Sequence, residues 1–96
     1  MKTREEIMTS LAKCKKKFQV QFKISKIALF GSYARGDQTE SSDVDVLVSV
    51  DPSIGLNFVS LAEKIEEEIG LPTDVVSERA IKPHYRQAIE PDLIYV

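Results

Sequence analysis

The stretch Gly31-Ser32-Tyr33-Ala34-Arg35-Gly36-Asp37-Gln38-Thr39-Glu40-Ser41-Ser42-Asp43-Val44-Asp45-Val46-Leu47-Val48 decides the fold of this chain. Just before it, Ile27-Ala28-Leu29-Phe30 reads as a short buried strand, which Gly31-Ser32 ends. Gly36 breaks the chain again after Ser32-Tyr33-Ala34-Arg35. Asp43-Val44-Asp45-Val46-Leu47-Val48 then opens a second β-prone run with two carboxylates at its start. Strand side chains alternate, so Asp43 and Asp45 project from one face while Val44, Val46 and Val48 project from the other. At ~3.3 Å rise per residue the two acids lie about 7 Å apart. Folding alone gives no reason to begin a buried strand with two acids. Rigidly placed oxygen ligands suit Mg²⁺, a metal usually bound by one or two carboxylates plus substrate phosphates.

Toward the N-terminus, Thr3 with Glu6 fits a capping box, and Ile7, Leu11, Cys14 and Phe18 mark one helical face. Lys13, Lys15, Lys16 and Lys17 crowd the end of that helix, where cations suit the dipole. They read as a solvated helix terminus and not as a phosphate patch. Cys14 has no activating partner nearby and reads as a core residue. The first strand spans about Ile24 to Phe30.

Toward the C-terminus, the Asp43 strand runs to about Val50, where Asp51-Pro52-Ser53 ends it. A second long helix carries Phe58, Leu61, Ala62, Ile65 and Ile69 as an apolar stripe, with Glu63, Lys64, Glu66, Glu67 and Glu68 as its wet face. Gly70 caps this helix and Pro72 prevents its resumption. Thr73-Asp74-Val75-Val76 reads as a third strand, Ile81 to Glu90 as a short last helix, and Leu93-Ile94-Tyr95-Val96 as a terminal strand. The class is therefore α/β (α+β): a single domain over residues 1–96, with a small mixed sheet of three to four strands and helices packed on its valine face.

The composition bounds the function. Ninety-six residues with 43% hydrophobic and 29% charged content are those of one globular domain. A net charge of −2 sets the chain apart from proteins that coat nucleic acid, so nucleic acid is not expected as a partner. A lone cysteine, no apolar run of signal-peptide length and no membrane-length apolar segment make cytoplasm the expected address.

Asp74 is the third carboxylate in a β-prone segment and is the natural companion of Asp43 and Asp45 if the strands are neighbours. Three such acids repel one another unless cations neutralise them. Two divalent ions ~3.5–4 Å apart are a common solution in phosphoryl displacement. Asp43 and Asp45 then hold metal, while Asp74 completes one site and helps to deprotonate an acceptor hydroxyl. Gly31 lets the backbone approach a phosphate closely, and Ser32 adds a hydroxyl donor.

Strand, Gly31-Ser32, and Asp43-Val44-Asp45 at the head of a second strand form an ordered set that resembles the polymerase-β-type nucleotidyltransferase superfamily. Gly31-Ser32-Tyr33-Ala34-Arg35-Gly36 and Ser42-Asp43-Val44-Asp45-Val46-Leu47-Val48 are similar to the minimal nucleotidyltransferase branch in particular. Asp74 matches its third acid, and Ile81-Lys82-Pro83 and the Ile94-Tyr95-Val96 ending are also similar. The resemblance implies the nucleotidyltransferase fold. It also implies transfer of a nucleoside monophosphate, AMP by expectation, from Mg²⁺-bound ATP with two ions engaged. A helical HEPN-type toxin is the partner it implies, with this chain as antitoxin in a hetero-oligomer and a tyrosine of the toxin as acceptor. A chain this short has nothing left over for an acceptor domain, so the partner is expected to bring the acceptor. Lys82 and Arg86 stand either to steady the triphosphate or simply to charge the surface. Arg35 stands either to do the same or to anchor the turn.

Two alternatives belong to other classes. One is an antitoxin that neutralises its partner by occlusion alone, although such a binder would be free to lose Asp43, Asp45 and Asp74. The other is a small-molecule enzyme of the aminoglycoside-modifying kind, whose members carry a helical acceptor domain.

Overall fold

The computed structural model describes residues 2–96. Helix α1 (Arg4–Phe18) starts at Thr3, whose hydroxyl accepts from the Glu6 N–H at 3.2 Å while the Glu6 carboxylate accepts from the Thr3 N–H at 3.0 Å. Ile7, Leu11 and Cys14 are fully buried along the predicted stripe. The lysines at its end act as tethers. Lys17 pairs with Glu68 at 3.2 Å, and Lys15 donates to the Val96 carbonyl at 3.0 Å.

Strands β1 (Ile24–Phe30) and β2 (Val44–Val50) pair antiparallel and flank a one-turn helix, α2 (Ser32–Arg35). Helix α3 (Asn57–Ile69) then crosses over to β3 (Thr73–Ser77), which lies parallel to β2. A short helix α4 (Pro83–Ile89) leads to β4 (Ile94–Tyr95), antiparallel to β1. The sheet order is β3-β2-β1-β4. Among the described residues no helix is long and apolar enough to cross a membrane.

The valine face behaves as expected. Val44, Val46 and Val48 meet Ile27 and Leu29 and pack beneath Leu61, Ile65 and Ile69 of α3 and the stripe of α1. Gly70 ends α3 in the left-handed conformation, φ 78°. The reverse face is covered too, but only in part. Ala28, Phe30 and Leu47 form a second small core with Ile89 of α4. Covering on both sides explains why β1 and β2 read as near-continuous apolar runs. Asp45 shares the face of Leu47 and pairs in register with Phe30, so it sits beside this small core.

Candidate active site

The site is built at one end of the sheet. The parallel register sets Asp45 of β2 directly beside Asp74 of β3, and Asp43 immediately precedes β2. Asp45 is half-buried, whereas Asp43 and Asp74 are exposed. Burial pushes the Asp45 carboxyl above the usual carboxylate range, the negative charges of Asp74 and Asp43 push it further, and Arg35 opposes them. Among the described residues no three acidic, histidine or cysteine side chains close around one point in the manner of a finished metal cage. The acids instead form an open, repelling set of oxygen donors. Such a set fits Mg²⁺, which keeps part of its coordination for water and substrate phosphate.

The β1–α2 turn faces these acids. Gly31 adopts φ 78° and ψ −155°, a region that essentially only glycine enters. A Cβ added at Gly31 would collide with a carboxylate oxygen of Asp45 and stand 3.1 Å from its Cγ. The expected reason for this glycine, room for a phosphate, is thus preceded by a nearer one: room for the Asp45 carboxylate. Helix α2 is pinned from several directions. Tyr33 and Ala34 are buried in the main core, and Arg4 of α1 donates to the Ala34 carbonyl at 2.9 Å. Gly36 closes the turn in the left-handed conformation, its N–H donating to the Ser32 carbonyl at 2.9 Å. As first residues of a helix, Ser32 and Tyr33 have no intrahelical acceptor for their N–H groups.

The cationic candidates fall in different places. Arg35 donates to Asp37 at 3.1 Å and to Asp92 at 2.8 Å, tying α2 to the turn before β4. Its charge is felt at Asp45, but its guanidinium is already held by two carboxylates. Arg86 pairs with Glu78 at 3.4 Å and Glu90 at 3.7 Å. Lys82 is the exposed N-cap of α4 and borders a cleft along β3 whose lining includes neither Gly31 nor the acids. Gly31, Ser32, Arg35, Asp43, Asp45 and Asp74 thus form one neighbourhood, whereas Arg86 is engaged by two carboxylates and Lys82 lines the cleft along β3.

Two positioning residues escaped the sequence reading. Glu66 accepts from the Thr73 N–H at 2.8 Å and fixes the start of β3 one residue before Asp74. Asp92 holds Arg35. Glu66 lies within an acidic run that looks like plain solvated surface, and Asp92 is far from Arg35 in sequence, so no local signal marks either one.

Comparison with known proteins bears on the family and the fold. The model of the family described as nucleotidyltransferase domain matches residues 11–96. A candidate protein adenylyltransferase of Methanocaldococcus jannaschii is 45% identical over 101 residues, covering all of both chains. The protein adenylyltransferase MntA of Thermococcus cleftensis is 38% identical over 98 residues, covering 100% of this chain and 98% of its own. Among solved structures, a candidate minimal nucleotidyltransferase superposes with a TM-score of 0.71 at 29% identity, over 92% of this chain and 93% of that one. A crystal structure of a toxin–antitoxin with AMP-PNP gives 0.73 at 25% identity, over 91% of this chain and 69% of that one. With the family model, the relatives and the fold in agreement, the chain belongs to the nucleotidyltransferase family of polymerase-β type and is an enzyme of that kind.

Proposed function

We propose that this chain transfers AMP from ATP to a hydroxyl on a partner protein, a tyrosine of a helical HEPN-type toxin, and acts as that toxin's antitoxin. The observation that carries the reading is the Asp45–Asp74 pair, with Asp43 beside it and a glycine turn that leaves room for the Asp45 carboxylate. The names of the relatives support a protein acceptor, and the toxin–antitoxin neighbour with AMP-PNP supports an adenine nucleotide and a toxin partner.

Asp43, Asp45 and Asp74 would hold Mg²⁺, two ions in this reading, which when bound neutralises the acids and the triphosphate and so lowers the barrier to phosphoryl displacement. The protein's own groups do the rest. The Ser32 hydroxyl and the N–H groups at the head of α2 receive a terminal phosphate. Asp74, exposed on β3, accepts the proton of the acceptor hydroxyl as that oxygen attacks the α-phosphorus. A new O–P bond forms, the bond from the α-phosphorus to the bridging oxygen breaks, and pyrophosphate leaves with the electron pair.

The test is to incubate the chain with its partner, Mg²⁺ and ATP and to read the partner's intact mass. Wild type adds one or more adenylyl groups. Asp45→Asn abolishes Mg²⁺-dependent ATP binding while the fold persists, and Asp74→Asn binds both components yet transfers about 10²-fold more slowly. Unchanged metal-dependent binding in Asp45→Asn overturns the site. A partner neutralised with its mass unchanged establishes occlusion instead.

A further inference from the structure

β3 lies at the edge of the sheet, so among the described residues one side of its backbone has no partner strand. The register shows which groups are free. Val44 donates to the Pro72 carbonyl at 3.0 Å and pairs with Thr73, so the parallel ladder uses the backbone of Asp74 and Val76. Thr73, Val75 and Ser77 therefore turn their N–H and C=O groups outward. The Thr73 N–H is taken by Glu66. Those of Val75 and Ser77 face a cleft of about 580 Å³.

The walls of that cleft come from opposite sides of the sheet. Phe58 of α3 lines one side, Ile81 and Tyr85 line the other, and Val75, Val76 and Ser77 form the floor. A strand laid on this floor would be covered above and below, as β1 and β2 are. Among the described residues the lining carries no acid, and its ionisable members include Lys82 and His84. Asp74 stands on the same strand, two residues before Val76. At ~3.3 Å per residue, Asp74 lies one residue beyond Val75, the near end of the cleft floor, within reach of a side chain on a segment paired along β3.

We propose that the free edge of β3 and its cleft bind an extended segment of the acceptor protein as a fifth strand, delivering the acceptor hydroxyl to Asp74; this rests on the adenylyltransferase reading above. The segment has apolar or β-branched side chains toward both walls, an acidic residue toward Lys82 and His84, and its hydroxyl at the Asp74 end. Main-chain hydrogen bonds supply affinity and the cleft walls supply selectivity.

The probe is a synthetic peptide of alternating valine and threonine with a tyrosine at one end and two aspartates at the other, together with its reversed sequence. Binding is followed by fluorescence anisotropy and by hydrogen exchange at the Val75 and Ser77 amides, and Mg·ATP binding is measured separately. Wild type binds one of the two peptides and slows exchange at those amides. Val75→Pro removes the outward N–H at a strand edge, where proline is tolerated, and Tyr85→Glu places a negative charge on the wall. Each weakens peptide binding by about tenfold or more and leaves Mg·ATP binding intact. If Val75→Pro does not fold, Tyr85→Glu decides. Wild-type peptide affinity in Tyr85→Glu, or protection elsewhere on the chain, overturns the proposal. Amides that become protected as the chain alone is concentrated also overturn it, because the occupant is then a second copy. A wild type that binds peptide but not Mg·ATP leaves this edge as a docking site and removes the transferase reading.

Discussion

Replacing Gly31 by alanine tests the construction of the site without any nucleotide present. The backbone at φ 78° and ψ −155° resists any side chain, at a cost of about 1–3 kcal/mol. The new Cβ also stands 3.1 Å from Asp45 Cγ and 3.3 Å from Asp45 Cβ, so the carboxylate must leave its rotamer, adding about 0.5–1.5 kcal/mol. The sum, about 1.5–4.5 kcal/mol, is a large part of a small domain's stability and corresponds to a fall of roughly 5–35 °C in melting temperature. Backbone strain and side-chain collision separate in a double-mutant cycle of Gly31→Ala with Asp45→Ala, followed by thermal denaturation in metal-free buffer. Asp45→Ala relieves the collision but not the strain, so the double variant recovers about 0.5–1.5 kcal/mol. Folded Gly31→Ala should also lose most of its Mg·ATP affinity in titration calorimetry, because Asp45 has been displaced. Additivity within about 0.5 kcal/mol, with wild-type nucleotide affinity in the folded variant, would show that Gly31 serves only the turn.

Two further expectations concern groups whose roles the packing decided. Arg35→Ala and Asp92→Asn each lower the melting temperature modestly and combine with less than additive effect, since one ion pair is broken in both. A loss of Mg·ATP affinity beyond about tenfold in Arg35→Ala at an unchanged melting temperature would instead place Arg35 on the triphosphate. Burial pushes the Cys14 thiol up to about 11 from 9.0, so at pH 8 it stays protonated and resists iodoacetamide until the chain unfolds. Its contribution to stability is complete below pH 9.0 and is lost as the pH rises through about 11. Rapid native-state alkylation, read by mass, would contradict this burial.

The elements of the fold were legible because each is locally overdetermined. Ile27 to Phe30 is an apolar run ended by Gly31, Thr73 onward is a β-branched run after Pro72, Thr3 and Glu6 form a reciprocal cap, and Gly70 has the left-handed conformation that a helix C-terminus favours. The candidate acids stood out for the opposite reason: Asp45 and Asp74 contradict the strands that carry them, Asp43 immediately precedes one, and such conflicts gather at functional sites. What those acids meet depended on strand order. Only the parallel β2–β3 register puts Asp45 beside Asp74, and only the return of the chain puts Gly31 against the Asp45 carboxylate. The cations were illegible for a related reason. Arg35, Arg86 and Lys17 are long side chains with several carboxylates in sequence but few in reach, and reach is a property of the folded surface. The open edge of β3 and its two-walled cleft have no counterpart in any local pattern. Phe58, Val75, Ile81 and Tyr85 come together only when α3 and α4 settle on opposite faces of one sheet. Local propensity and charge pattern thus determined which elements form and which residues are chemically out of place. Long-range packing decided which of them touch, because contact across a sheet depends on register and topology, which no window of sequence contains.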